Sequence, residues 1–127
     1  MKKSLKAVQE FHEAFGLGVK QQPTARLEDG KIQLRHELMK EENEEYLKAA
    51  KNRDLPEIAD ALGDMLYILC GTILEHGLQH KISEVFDEIQ RSNMSKLGED
   101  GKPIYREDGK VLKGPNYFRP DFKKILG

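Results

Sequence analysis

The chain has 127 residues, with 21 Lys plus Arg against 22 Asp plus Glu, a formal net charge of -1 and one cysteine. That length supports one domain with a real core but not two well-packed units. The near-balanced charge excludes a general attraction to nucleic acid or to an anionic membrane.

Leu5, Val8, Phe11, His12 and Phe15 recur at helical spacing until Gly16 and Gly18 stop them, so the spacing predicts an amphipathic helix over 3–15. The basic first residues run into Gln9, Glu10 and Glu13 rather than an apolar stretch, so no export signal is expected. Residues 17–30, with Pro23 and Gly30, read as a loop, and a second helix is expected from about Ile32 to Lys51. Asn52, Arg53 and Asp54 break it. Asp54 followed by Pro56 and Glu57 is then a helix-start signature, and the third helix should run to Glu75 or His76, with Gly77 as its cap.

Ile58 to Leu74 is the most apolar stretch, yet it contains Asp60 and Asp64 and falls short of the ~20 apolar residues that span a bilayer. It reads as a helix enclosed by others in a soluble protein. Cys70 within it reads as a buried thiol, and a lone cysteine fits a reducing cytoplasm. Ile82, Val85, Phe86 and Ile89 predict a fourth helix over about 82–97, ended by Gly98. Glu99-Asp100-Gly101-Lys102 and Glu107-Asp108-Gly109-Lys110 form a short repeat. Asp108-Gly109 between Ile104-Tyr105 and Val111-Leu112 predicts a small β-hairpin, followed by an irregular tail. The expected fold class is all-α: one domain over 1–127, with a four-helix core at about 3–97 and a hairpin and tail at 98–127.

The acids carry the chemistry. Projecting the second helix at about 100° per residue places Glu42 and Glu45 on the same arc as Leu34, Leu38, Tyr46 and Ala49, with Glu41 at its edge. Glu37, Lys40, Glu44, Lys48 and Lys51 fall on the opposite, solvated side. Carboxylates on an apolar face need a compensating cation. On the third helix Glu57, Asp60 and Asp64 lie within about 60° of one another. Glu57 is also explained as the acid of a capping box with Asp54, and the strip as a whole could be a narrow solvent face continuing to Glu75.

About five carboxylates facing one volume is hard-cation chemistry. Magnesium, which binds through carboxylates together with substrate phosphates, is the expected ion, with manganese as a substitute. A di-iron site would need Glu-x-x-His, and the residues three before His12, His36, His76 and His80 are Gln9, Gln33, Ile73 and Gly77.

Glu41-Glu42-Asn43-Glu44-Glu45 satisfies E-E-x-x-E, and Glu57-Ile58-Ala59-Asp60 satisfies E-x-x-D. The pair resembles the all-α NTP pyrophosphohydrolase superfamily, which includes MazG, dimeric dUTPases and phosphoribosyl-ATP pyrophosphohydrolase. Arg91-Ser92-Asn93-Met94-Ser95-Lys96 and Asp108-Gly109-Lys110-Val111-Leu112-Lys113-Gly114-Pro115 look like the C-terminal signature of the phosphoribosyl-ATP pyrophosphohydrolase-like branch.

The resemblance implies a MazG-like bundle that cleaves a nucleoside triphosphate, NTP or dNTP, between its α and β phosphates to give monophosphate and pyrophosphate. It implies Glu41 and Glu42 as catalytic residues and Glu42, Glu45, Glu57, Asp60 and Asp64 as candidate metal ligands. Arg91, Lys96 and Lys113 would contact phosphate, Asn93 base or sugar, and Tyr67 would be a stacking surface if it is not core. One departure stands out: aligning the aspartate of E-x-x-D with Asp64 places Ala61 where the glutamate belongs. A small-molecule nucleotide is thus the expected partner, with no polymer and no membrane, and a homodimer or homotetramer is the expected assembly. The alternative is a non-hydrolysing nucleotide- or metal-binding regulator on the same scaffold.

Overall fold

The structure is a computed structural model describing residues 1–127. It contains α1 (Lys2–Ala14), α2 (Lys31–Lys51), α3 (Leu55–Glu75), α4 (Ile82–Met94) and a single-turn α5 (Lys123–Leu126). The four long helices fall where periodicity places them, and no helix is long and apolar enough to cross a membrane. The chain divides into two compact units, Met1–His80 and Lys81–Gly127.

In the first unit α2 and α1 both pack on α3. Leu5 and Val8 of α1, Ala49 of α2, and Ala61, Cys70, Ile73 and Leu74 of α3 form its buried apolar core. A fully buried Val or Leu contributes about 1.5–3 kcal/mol. Asp54 caps α3 by accepting the Glu57 N–H at 3.2 Å, with Pro56 in the first turn, as the sequence signature requires. At the other end Gly77 adopts φ 68, a left-handed conformation that costs glycine little. It donates to the Leu74 carbonyl while Leu78 donates to that of Ile73, closing the helix in a Schellman arrangement.

The third helix is not enclosed as its composition suggests. Leu62, Leu66, Tyr67 and Leu69 are exposed, because α1 and α2 cover only two of its sides. Leu34 and Tyr46, placed on the buried arc of α2 by projection, are exposed as well.

In the second unit α4 ends at Met94 rather than Leu97. There Ser95 Oγ donates to the Ser92 carbonyl and accepts the Phe118 N–H, so side-chain bonds to the tail replace the next helical turn. The expected β-hairpin is absent. Tyr105 and Val111 form one isolated antiparallel bridge. The Asp-Gly turn does form, with Arg106 donating to the Lys110 carbonyl at 2.8 Å and Asp108 Oδ1 accepting the Lys110 N–H at 3.1 Å. The flanking segments, with Pro103 on one side and Gly114-Pro115 on the other, lack the residues to extend a ladder.

Candidate active site

Asn52, Arg53 and Asp54 are the whole connection between α2 and α3, so these helices run antiparallel, with Glu42 and Asp64 at mid-length and Glu45 and Asp60 nearer the closed end. Glu42 is half-buried. Its carboxyl is pushed up to about 7, first by burial, then by a hydrogen bond that it can donate to Glu45 only when protonated, and then by the charges of Glu45, Asp64 and Asp60. Glu42 Oε2 is buried without a hydrogen-bond partner.

A groove of about 550 Å³ opens beside these residues, lined by Glu45, Lys48, Ala49, Asn52, Asp54, Glu57 and Asp60. A larger hollow of about 880 Å³ lies along Arg119–Gly127. It is bounded by one stretch of tail, carries a single carboxylate, Asp121, and does not involve the E-E-x-x-E motif.

The structure thus brings Glu42, Glu45, Asp60 and Asp64 together across α2 and α3. It places Glu57 at the groove margin, where its backbone N–H is the cap donor and its side chain is exposed. Glu41 is exposed, and its charge is not among those acting on Glu42. Glu45 is exposed rather than buried, because the groove lies open to solvent on its side. Ala61 is 2 % exposed and serves as packing, so the third-helix acids are Asp60 and Asp64.

No three acids close on a single point at ligand distance, as expected of like charges that repel across a shared volume. A buried, partnerless carboxylate oxygen with three further carboxylates near it is nevertheless the donor set that a hard divalent cation satisfies. Glu42, Glu45, Asp60 and Asp64 are the residues able to hold one.

Tyr67 is exposed on α3 and meets Phe11 edge-to-face at 5.6 Å between ring centroids. In the second unit the two basic motifs lie side by side, since Gly114 donates to the Lys96 carbonyl at 2.8 Å and Ser92 Oγ to that of Phe118 at 2.8 Å. Asn93 is exposed and Lys96 half-buried. Lys113 Nζ stands 4.9 Å from the Tyr117 ring centroid. Arg91 is held by both oxygens of Glu88, at 2.8 and 3.1 Å, and lies 4.2 Å over the Phe118 ring.

A second polar cluster, at the open end of the helix pair, was not evident from sequence. Glu75 is 1 % exposed. Its Oε1 accepts the Gly18 N–H at 3.1 Å and stands 3.4 Å from Lys31 Nζ and 3.8 Å from His12 Nδ1, while Oε2 has no partner. Arg35 donates from Nε to Thr72 Oγ1 at 3.0 Å and from its terminal nitrogen to the Ile68 carbonyl at 2.7 Å. Burial lowers the Arg35 pKa, against which the charge of Glu75 acts. The available signal was Arg35 standing two turns before Glu42 on the same face of α2.

This antiparallel pair with its facing acids belongs to a protein of the all-α NTP pyrophosphohydrolase class. The model of the phosphoribosyl-ATP pyrophosphohydrolase family matches residues 8–93, and the chain belongs to that family. Among the 24 solved chains that match is the crystal structure of a candidate NTP pyrophosphohydrolase from Exiguobacterium sp. 255-15. It is 27% identical with a TM-score of 0.48, the match covering 92% of this chain and 88% of that one. No curated protein matches the chain.

Proposed function

We propose that this chain is a magnesium-dependent nucleoside triphosphate pyrophosphohydrolase that cleaves between the α and β phosphates to release monophosphate and pyrophosphate. The observation that carries the proposal is the buried, partnerless Oε2 of Glu42, on a carboxyl held near 7 and close to Glu45, Asp60 and Asp64. Family membership supports hydrolysis of a pyrophosphate bond.

Glu42, Glu45, Asp60 and Asp64 hold the ion in this reading, with Glu57 at the groove margin. When bound, magnesium (or manganese) offsets the triphosphate charge and lowers the pKa of a coordinated water. Proton transfer from the attacking water falls to Glu42 or Glu41. Glu41 has solvent access, and Glu42 stands among the acids that hold the ion. In the second unit Lys96 and Lys113 are proposed phosphate contacts and Asn93 a base or sugar contact. Arg91 is a further proposed phosphate contact, since Glu88 engages its Nε and one terminal nitrogen and leaves the other terminal nitrogen free to donate. Tyr67, exposed on α3, offers a face for stacking. The exposed Leu62, Leu66 and Leu69 support a homodimer or homotetramer.

The non-hydrolysing regulator is favoured by one observation, the packing role of Ala61 where the aligned motif would supply a glutamate. Incubation with a panel of canonical and modified NTPs plus magnesium, followed by pyrophosphate detection, decides between the two. Pyrophosphate release that disappears in Glu42→Ala supports the enzyme. Tight nucleotide binding without release supports the regulator.

A further inference from the structure

We infer that Arg35 and Glu75 are positioning residues that lock the axial register of α2 against α3, so that Glu42 and Glu45 arrive opposite Asp60 and Asp64.

The two ends of this helix pair are anchored differently. At the closed end the three-residue connection 52–54 holds the helices together. At the open end α2 emerges from the long segment 15–30, and its first residue, Lys31, reaches Glu75 while Arg35, one turn on, reaches Thr72 and the Ile68 carbonyl. Lys31, Arg35 and Glu42 share one stripe of α2, and Glu75, Thr72, Ile68 and Asp64 descend α3 in steps of roughly one turn. Each turn forward on α2 therefore meets one turn back on α3. The facing of Glu42 and Asp64 continues the register that Lys31–Glu75 and Arg35–Thr72 begin.

Apolar packing does little to set this register, because Ala49 is the single buried residue of α2. The carboxylates across the seam repel, which favours sliding or separation in the metal-free protein. A slide of one turn, about 5.4 Å, would set Glu42 against Ile68 or carry Glu45 past Asp60.

Three features make the clamp resist it. Arg35 is forked, so its two bonds to α3 fix direction as well as distance. Gly71 leaves room for it: a Cβ there would stand 2.5 Å from the Arg35 terminal nitrogen and 2.7 Å from His12 Nε2. Finally, the segment before α2 is strapped to the end of α3 by Gly18 to Glu75, Lys20 to the Leu74 carbonyl and Thr24 to the His76 carbonyl.

The inference rests on the proposed function for its metal and catalytic arms, and the label distance stands apart from both. Three readouts test it on the full chain: Mn2+ binding measured calorimetrically without nucleotide, magnesium-dependent NTP cleavage, and the distance between nitroxide labels on Lys40→Cys and the exposed Leu55→Cys of α3. Buried Cys70 is shielded from labelling. Arg35→Met, with helix content retained by circular dichroism, should weaken Mn2+ binding about 10–100-fold, the range for residues that orient ligands. It should raise the magnesium requirement of turnover in parallel and shift or broaden the label distance, by up to the roughly 5 Å of one turn.

Arg35→Lys keeps the charge without the fork and should recover part of each effect, and the isosteric Glu75→Gln should move all three readouts the same way. A folded Arg35→Met protein with wild-type Mn2+ affinity and label distance overturns the inference and leaves the proposed function standing. If wild-type protein releases no pyrophosphate from any NTP, the proposed function fails while the label distance still decides the clamp.

Discussion

Asp64 on α3 acts across the helix seam on Glu42 of α2, adding its charge to the burial and to the Glu45 contacts that together hold the Glu42 carboxyl at about 7. The ordinary value is 4.5, so between the two the folded, metal-free protein holds more protons than the unfolded chain. Stability from protonated Glu42 is complete below about 4.5 and is lost as pH rises through about 7. Thermal unfolding in a chelator should show a melting temperature that falls from pH 5 to pH 8, with the fall flattened in Glu42→Gln. Magnesium binding should release a proton and reverse the trend. An unchanged slope in Glu42→Gln would assign the fall to other groups.

Substitution should rank the third-helix acids. Asp64→Asn and Asp60→Asn should each lower magnesium-dependent turnover by more than the roughly 10–100-fold expected of supporting residues. Glu57→Gln should cost less than about 10-fold, because its side chain sits exposed at the groove margin. Its contribution to capping is the backbone N–H to Asp54, which the substitution preserves. Steady-state kinetics over a magnesium series checks the ranking, and a Glu57→Gln loss equal to that of Asp64→Asn would make Glu57 a direct ligand.

Asp54 carries the cap alone. Asp54→Ala should destabilise the protein by about 1 kcal/mol, while Asp54→Asn should be close to neutral because the amide oxygen accepts the same Glu57 N–H. Urea unfolding distinguishes them, and equal stability of the Ala and Asn variants would remove the cap from the account of how α3 begins.

Local chemistry is the part of this molecule that its sequence displays. Asp54, Pro56, Glu57 and Gly77 each act within a turn of themselves, so the limits of α3 could be read directly. Helical spacing also put Glu42 and Glu45 on one stripe of α2 and Asp60 and Asp64 on one stripe of α3, and it is the packing of α2 on α3 that brings the two stripes together.

What escaped depends on neighbours. Glu75 looked like the exposed end of an acidic strip, and only the arrival of Gly18, Lys31 and His12 buries it. Glu45 shares an arc with Ala49 yet stays exposed, because projection assigns a face without saying how closely the next helix approaches. Asp108-Gly109 correctly marked a turn. A turn does not recruit strands, however, and pairing stops at Tyr105 and Val111.

Two glycines of α3 should respond to the same substitution with opposite sign. Gly63 has open space where a Cβ would go, so Gly63→Ala should stabilise by about 0.5–1 kcal/mol through helix propensity and the smaller backbone freedom of the unfolded chain. At Gly71 the same propensity gain meets a clash with the Arg35 guanidinium and the buried His12 ring, neither of which can withdraw without breaking its own hydrogen bonds. Gly71→Ala should therefore be destabilising by about 1–3 kcal/mol, the usual cost of overpacking. Because the displaced Arg35 belongs to the α2–α3 clamp, Gly71→Ala should also weaken Mn2+ binding, an effect that Gly63→Ala should lack. Chemical denaturation paired with metal titration of the two variants measures both, and a stabilising Gly71→Ala would show that Arg35 and His12 are not held against that face of α3.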